Sequence, residues 1–163
     1  LGIDPDGNTA IIRTTGNDQV HVILRGGRTG PNYNPWDVVR VEEMLRYSGL
    51  PVSIVVDCSH GNSQKDPDRQ KSVLDSILEQ RIRGRNVIKG FMVESNLMAG
   101  RQALDGGVET LVYGQSITDA CLGWDATIEL LRDAADRLRA AWGSGESGNT
   151  EWVPTGEATS EER

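Results

Sequence analysis

Apolar residues follow two alternating spacings along this chain. Val52–Val56 and Val87–Val93 are apolar, β-branched runs of the kind found in strands buried on both faces of a parallel sheet. Between and after them the spacing turns helical. Val38, Val41, Met44 and Leu45 follow Pro35, which suits a first helical turn, and Gly49 supplies the stop. Val73, Leu74, Ile77 and Leu78 mark a helix from about Pro67 to Arg83, and Ile128, Leu131, Ala135 and Leu138 mark the inner stripe of one from about Asp125 to Trp142. Ahead of these, Thr9–Thr14 and Gln19–Leu24 read as the arms of a hairpin with Thr15-Gly16-Asn17-Asp18 at its tip.

Strand and helix thus alternate, with connections long enough for parallel crossovers, which predicts an α/β fold. About three core strands and three helices are visible, whereas a complete (β/α)8 barrel takes ~250 residues. Two architectures follow: a small open α/β sheet, or the carboxyl-terminal half of a (β/α)8 TIM barrel. The partial barrel would span 1–142. Residues 143–163 hold too little apolar content to pack and read as a disordered acidic tail.

Composition narrows the setting. With 163 residues and 37% hydrophobic content, the chain fits one domain with a sizeable core. No run approaches the ~20 apolar residues that cross a bilayer, and no leader opens the sequence, so a cytoplasmic protein without membrane partners is expected. Cys58 and Cys121 are the only cysteines, too few for a disulfide scaffold, and they read as free thiols in a reducing compartment. The net charge is −7; the tail, with five Glu against Arg163, supplies −4 of it and leaves −3 for the body. A weakly acidic body without a basic stripe, and an aromatic content of 5%, argue against nucleic acid as a partner. The chain opens on Leu1 and runs at once into a turn-like Asp4-Pro5-Asp6-Gly7, as the middle of a longer protein would.

Chemistry concentrates in three strings: VVDCSHGNSQK at 55–65, FMVESN at 91–96 and SITDACLGW at 116–124. Each sets a metal-competent side chain, His60, Glu94 or Asp119, at the end of an apolar run or in the polar loop behind it. In α/β barrels such positions converge on one mouth. Imidazole with two carboxylates suits a divalent first-row metal. Singly, each has a plainer reading: a capped loop histidine, an end-of-strand ion pair, and an N-cap for a helix near Leu122. Two-residue alternation groups His21, Ile23 and Arg25 on one face, then Ile54, Val56, Cys58 and His60, then Gly90, Met92 and Glu94. Arg25 with two glycines behind it suits a phosphate, since a guanidinium fork sits beside backbone that an anion can approach closely. A surface ion pair is the alternative for Arg25. His21 reads as a strand histidine, Asp57 and Lys65 as a loop ion pair, and Cys58 as interior packing. Trp124 and Trp142, at the two ends of the last helix, read as packing, while Trp36 and Trp152 lie in exposed contexts.

HVILRGG (21–27), DCSHGNSQK (57–65), GFMVES (90–95) and YGQSITDACLGW (113–124) together resemble the carboxyl-terminal half of type I 3-deoxy-D-arabino-heptulosonate 7-phosphate synthase. The likeness runs in register from Leu1 to about Trp142. It implies a (β/α)8 barrel that condenses phosphoenolpyruvate with erythrose 4-phosphate in the first step of the shikimate pathway to aromatic amino acids. It further implies that His60, Glu94 and Asp119 bind the divalent metal, of Mn, Fe, Co or Zn type, and that Arg25 holds the phosphate of phosphoenolpyruvate. The family's remaining metal ligand is an earlier cysteine with no counterpart here, and its Lys-Pro-Arg-Thr motif also belongs to the amino-terminal half. Family likeness suggests a homo-oligomer and an aromatic amino acid effector bound partly by the region of residues 1–24, with Gly2 and Ile12 nearby. An incomplete site implies an isolated chain that is poorly stable and inactive without the missing barrel half. Two other readings stay open: the related octulosonate-phosphate synthase, which uses arabinose 5-phosphate, and a non-catalytic binding or regulatory module.

Overall fold

A computed structural model describes residues 2–11, 13–17 and 19–143. The tail from 144 onward, including Trp152, and Ile12 of the expected effector region lie outside the described residues.

Among the described residues, five short strands and three α-helices follow one another: β1 (Gly2–Ile3), β2 (Thr9–Ala10), β3 (Val22–Leu24), α1 (Pro35–Tyr47), β4 (Ile54–Asp57), α2 (Gln70–Ile82), β5 (Ile88–Met92) and α3 (Trp124–Trp142). A 3-10 turn at Pro67–Arg69 leads into α2, with the Asp66 carboxylate accepting the Asp68 N–H as its cap. Strands β3, β4 and β5 form a parallel sheet in that order, as expected for an α/β chain. Its register sets Leu24 beside Val56 and Phe91, and Ile23 beside Val55 and Gly90.

The amino-terminal hairpin is not the expected one. Thr9–Ala10 pairs back with Gly2–Ile3 instead of forward with the run ending at Leu24. Asp4 explains the choice: its Oδ1 accepts the N–H groups of Asp6 and Asn8 at 3.0 and 2.8 Å, which closes the Asp4–Gly7 turn locally. Val22–Leu24 is claimed by β4, where Leu24 becomes buried.

Helices cover one face of the parallel sheet. Leu24, Ile54, Val56, Cys58 and Ile88 pack there with Val38 and Leu45 of α1, Val73, Leu74, Ile77 and Leu78 of α2, and Leu130 and Ala134 of α3. The opposite face is open among the described residues, with Ile23 and Met92 each 43% exposed, so these strands are not buried on both sides as their composition suggested. The inner stripe of α3 is also displaced. Thr127, Leu130 and Ala134 are buried while Leu131 is 44% exposed, because the Thr127 hydroxyl finds a partner inward in Ser95 at 2.6 Å. Trp124 and Trp142 are 54% exposed, and Trp142 packs under the Arg81 guanidinium instead of in the core. Trp36 is exposed, as its context suggested.

Beyond β5 the sheet is prolonged by a single parallel bridge. Leu122 donates its N–H to the Glu94 carbonyl at 3.0 Å, and Asn96 donates to the Leu122 carbonyl at 2.9 Å. This bridge brings the third chemical string alongside the second.

Candidate metal centre

His60, Glu94 and Asp119 each offer a ligand atom, and these atoms lie within 4.8 Å of one another. His60 Nε2 stands 3.4 Å from Glu94 Oε1 and 3.8 Å from Asp119 Oδ2. The three side chains are half-buried, so the cluster faces a mouth and not the core.

Each member is held by a different local device. At the end of β4 the chain turns sharply: Ser59 N–H bonds Asp57 Oδ1 at 2.8 Å, and Lys65 N–H reaches the His60 carbonyl at 2.8 Å. His60, Gln64 and Lys65 take left-handed backbone conformations, with φ of 46°, 56° and 63°. Non-glycine residues hold such a conformation only where surrounding contacts fix it. Extended alternation therefore stops at Asp57. Register pairs Asp57 with Met92 on the open face, while Ile54, Val56 and Cys58 point to the helices. His60 shares a mouth with Glu94 because the turn redirects it, and the alternation that grouped it with Cys58 does not apply.

Glu94 is clamped through its backbone. Gln70, fully buried at the start of α2, receives Glu94 N–H at Oε1 (2.7 Å) and donates Nε2 to the Glu94 carbonyl (3.1 Å). The carboxylate accepts Ser59 Oγ–H at 2.5 Å through Oε2, which leaves Oε1 toward His60. Asp119 sits three residues before the Leu122 bridge, and its Oδ1 is 3.6 Å from Lys65 Nζ. It does not cap a helix, since α3 begins behind Gly123.

Asp57 and Lys65 do not pair with each other. Asp57, 2% exposed, directs Oδ2 to His60 Nδ1 at 2.8 Å and to Arg25 Nε at 3.9 Å. Arg25 thus joins the cluster's edge, with its fork largely in solvent. Behind it, Gly26 (φ 89°) crosses Gly61 so closely that a Cβ would lie 2.6 Å from Gly61 backbone atoms. Asn62 ties this crossing together: its Nδ2 donates to the Leu24 and Asp57 carbonyls, and its Oδ1 accepts Asn32 N–H. Sequence reading missed Asn62, Ser59 and Gln70. Asp57 was legible in principle, as a carboxylate three residues before a histidine at the end of a strand.

Neither cysteine belongs to the triad. Burial, with the charge of Asp57 adding to it, pushes the Cys58 thiol up to about 12. Burial also raises the Cys121 thiol, helped by the charges of Glu94 and Asp119 and opposed by a hydrogen bond with Ser116. Both stay protonated near neutral pH, and Cys58 packs inside as expected. His21 is an exposed residue ahead of β3.

A nitrogen and two carboxylate oxygens around one point suit a divalent cation better than any neutral ligand. Known proteins carry the same frame. The sequence pattern of the DAHP synthetase I family matches residues 3–132. The chain is 45% identical over 133 residues to the Tyr-sensitive phospho-2-dehydro-3-deoxyheptonate aldolase of Escherichia coli, covering 82% of this chain and 37% of that protein. It is 44% identical over 143 residues to the Phe-sensitive enzyme of the same organism, covering 88% and 40%. The solved structure of phospho-2-dehydro-3-deoxyheptonate aldolase from Francisella tularensis superposes with a TM-score of 0.77 at 42% identity, over 88% of this chain and 41% of that one. The chain spans about two fifths of the length of these relatives, and it belongs to the DAHP synthetase I family.

Proposed function

We propose that this chain forms the carboxyl-terminal part of a metal-dependent 3-deoxy-7-phosphoheptulonate synthase. That enzyme joins phosphoenolpyruvate, erythrose 4-phosphate and water into 3-deoxy-D-arabino-heptulosonate 7-phosphate and inorganic phosphate. The convergence of His60, Glu94 and Asp119 within 4.8 Å carries the reading. Its setting supports it: the bare sheet face that exposes Ile23 and Met92 is the face a complete (β/α)8 barrel would close around. In this reading 1–142 is barrel and 143–163 a tail. The protein works in the cytoplasm as a homo-oligomer.

Nε2 of His60, Oε1 of Glu94 and Oδ2 of Asp119 would hold the ion, the two carboxylates offsetting its charge. A bound ion of Mn, Fe, Co or Zn type supplies Lewis acidity toward the aldehyde oxygen of erythrose 4-phosphate. Arg25 holds the phosphate of phosphoenolpyruvate with a fork matched to phosphate oxygens. Gly27, whose Cβ position meets nothing closer than 4.0 Å, leaves room beside it. Held so, the C2=C3 π pair of phosphoenolpyruvate bonds from C3 to the aldehyde carbon, whose oxygen takes a proton and becomes a hydroxyl. Water adds at C2, and the C2–O bond to phosphate breaks as C2 becomes a ketone, the two protons of the water going to that hydroxyl and to the departing phosphate. The earlier cysteine ligand and the Lys-Pro-Arg-Thr motif come from the amino-terminal half. Relatives named for sensitivity to Tyr and Phe support an aromatic amino acid effector, with Gly2 of β1 in its neighbourhood.

The test measures manganese binding and heptulosonate formation by the purified chain. Binding that is lost in His60→Ala, with no turnover until an amino-terminal barrel half is added, is the expected result. Ordinary turnover by the chain alone overturns its role as a part, and binding indifferent to His60→Ala overturns the metal site. In the complemented enzyme, arabinose 5-phosphate is expected to compete poorly against erythrose 4-phosphate; the octulosonate-phosphate synthase reading requires the reverse.

A further inference from the structure

A histidine can offer Nε2 to a cation only if the proton of the neutral ring sits on Nδ1, and free histidine prefers the other arrangement. Something must hold the rarer form. Asp57 is placed to do so. Its Oδ2 is 2.8 Å from His60 Nδ1, and its Oδ1 is engaged by Ser59 N–H at 2.8 Å. Arg25 Nε stands 3.9 Å from the same Oδ2, a charge contact beyond hydrogen-bond length, and both oxygens of a carboxylate only 2% exposed can serve only as acceptors. Nε2 also faces carboxylates, Glu94 Oε1 at 3.4 Å and Asp119 Oδ2 at 3.8 Å, but the Nδ1 contact at 2.8 Å is the one at full hydrogen-bond length, so the proton of the neutral ring belongs on Nδ1.

We infer that Asp57 is a positioning residue that fixes His60 in its Nδ1–H tautomer and aims the bare Nε2 at Glu94 and Asp119. The same carboxylate oxygen steadies Arg25, so the imidazole and the anion-binding guanidinium share one support. This rests on the proposed metal reading only for its purpose; the tautomer is a property of the chain without any ion. The burial of Asp57 gives the arrangement its force, because a hydrogen bond to a charged acceptor is strong where water does not compete.

Asp57→Asn separates this role from a merely structural one. An asparagine keeps an oxygen for Ser59 N–H and so preserves the turn. Its amide nitrogen then faces His60 Nδ1, which must become the acceptor, and the proton moves to Nε2. Only two histidines exist, so nitrogen-15 spectra of the ring nitrogens of the whole chain, followed with rising pH until both rings are neutral, are readily assigned, with exposed His21 as an internal reference. The expected result is a protonated Nδ1 and a bare Nε2 at His60 in the wild type, exchanged in D57N. Manganese affinity should fall by about 10- to 100-fold in D57N. A folded wild type with its proton on Nε2, or a D57N protein with the wild-type pattern, overturns the inference. Should D57N fail to fold, the wild-type spectrum decides alone. Tautomers that exchange as expected in proteins that bind no manganese would leave Asp57's role standing and sink the metal reading instead.

Discussion

Two connections deliver the candidate site, and they are built in opposite ways. The short one behind β4 is densely wired. Asp57, Ser59, Asn62 and Ser63 are all buried, and their polar atoms find partners in β3, β4, the turn itself, Asn32 and Glu94. The long one, from Ser95 to Leu122, exposes Leu97, Met98, Leu104, Val108, Val112, Tyr113 and Ile117. It is held mainly by amides, with Gln102 bonding the Val112 and Gln115 carbonyls and Gln115 bonding that of Ala99. His60 thus rests on a preorganised turn, whereas Asp119 arrives at the end of a loosely covered excursion. A metal site needs only one rigid wall if the other residues can close onto it, but its geometry is then set by that wall.

The largest expected effect comes from breaking the rigid side. Gly26→Ala would place a Cβ 2.6 Å from Gly61 backbone in a conformation with φ of 89°, and neither strand nor turn has room to yield. Strain and overpacking together should cost about 3 kcal/mol or more, read as a shift in urea midpoint, and manganese binding should vanish with it. A variant of near wild-type stability would mean that the crossing of β3 and the His60 turn is soft. Next come the two amide clamps. Gln70→Ala leaves Glu94 N–H without the partner it has in Gln70 and its carbonyl with Leu122 N–H alone, beside a fully buried position, and should cost about 2–4 kcal/mol. Gln102→Ala removes three bonds from the long connection, one more than Gln70→Ala, but two of them are exposed and the change should cost about 1 kcal/mol or less. Equal costs would erase the contrast.

How far the sequence reading reached depends on which forces acted locally. Helices α1 and α2 were legible because most of their buried residues are apolar at helical spacing, Gln70 and Gln80 aside, and because Pro35, Pro67 and Gly49 punctuate them. The α3 stripe was read correctly at Leu138, which packs against the core, but one position late at Thr127, Leu130 and Ala134, because a buried threonine satisfied by Ser95 leaves no apolar mark. Strand partners were harder still. Nothing in Thr9–Ala10 says whether it pairs backward or forward; the Asp4 turn decides, and β4 competes for Val22–Leu24. The three metal-competent residues were visible by type. Their supports were not, because Gln70 and Asn62 act through backbone groups far away in sequence, and because the left-handed turn at His60 breaks the alternation used to aim it.

The two cysteines report the same contrast by chemistry, one at the foot of each connection. Cys58 is fully buried with its thiol pushed up to about 12, whereas Cys121 is partly accessible and its thiol is raised by milder burial. Iodoacetamide at mildly alkaline pH should modify Cys121 at least about tenfold faster than Cys58, a gap equal to about 1.4 kcal/mol. The raised Cys58 thiol also gives stability a sign with pH. An unfolded chain ionises this thiol first, so its contribution is intact below about pH 8.5, declines above it and is gone beyond about 12. Thermal melts along that range should show the loss in the wild type and less of it in Cys58→Ala.

The smallest effect tests where the two connections touch. Lys65 belongs to the rigid turn, and its Nζ lies 3.6 Å from Asp119 Oδ1, yet its side chain is 72% exposed. Such a pair contributes little to folding, so Lys65→Met should leave stability within about 1 kcal/mol. Metal affinity carries the information. If the long connection positions Asp119 by its own amides, the ammonium is only a competitor for the carboxylate, and removing it should strengthen manganese binding by about threefold at low salt. That gain should fade toward 1 M salt, where the screening length falls to about 3 Å. Weaker binding in Lys65→Met would mean the reverse: the rigid turn would be reaching across to hold Asp119, and both walls of the site would depend on the eight residues behind β4, 58–65.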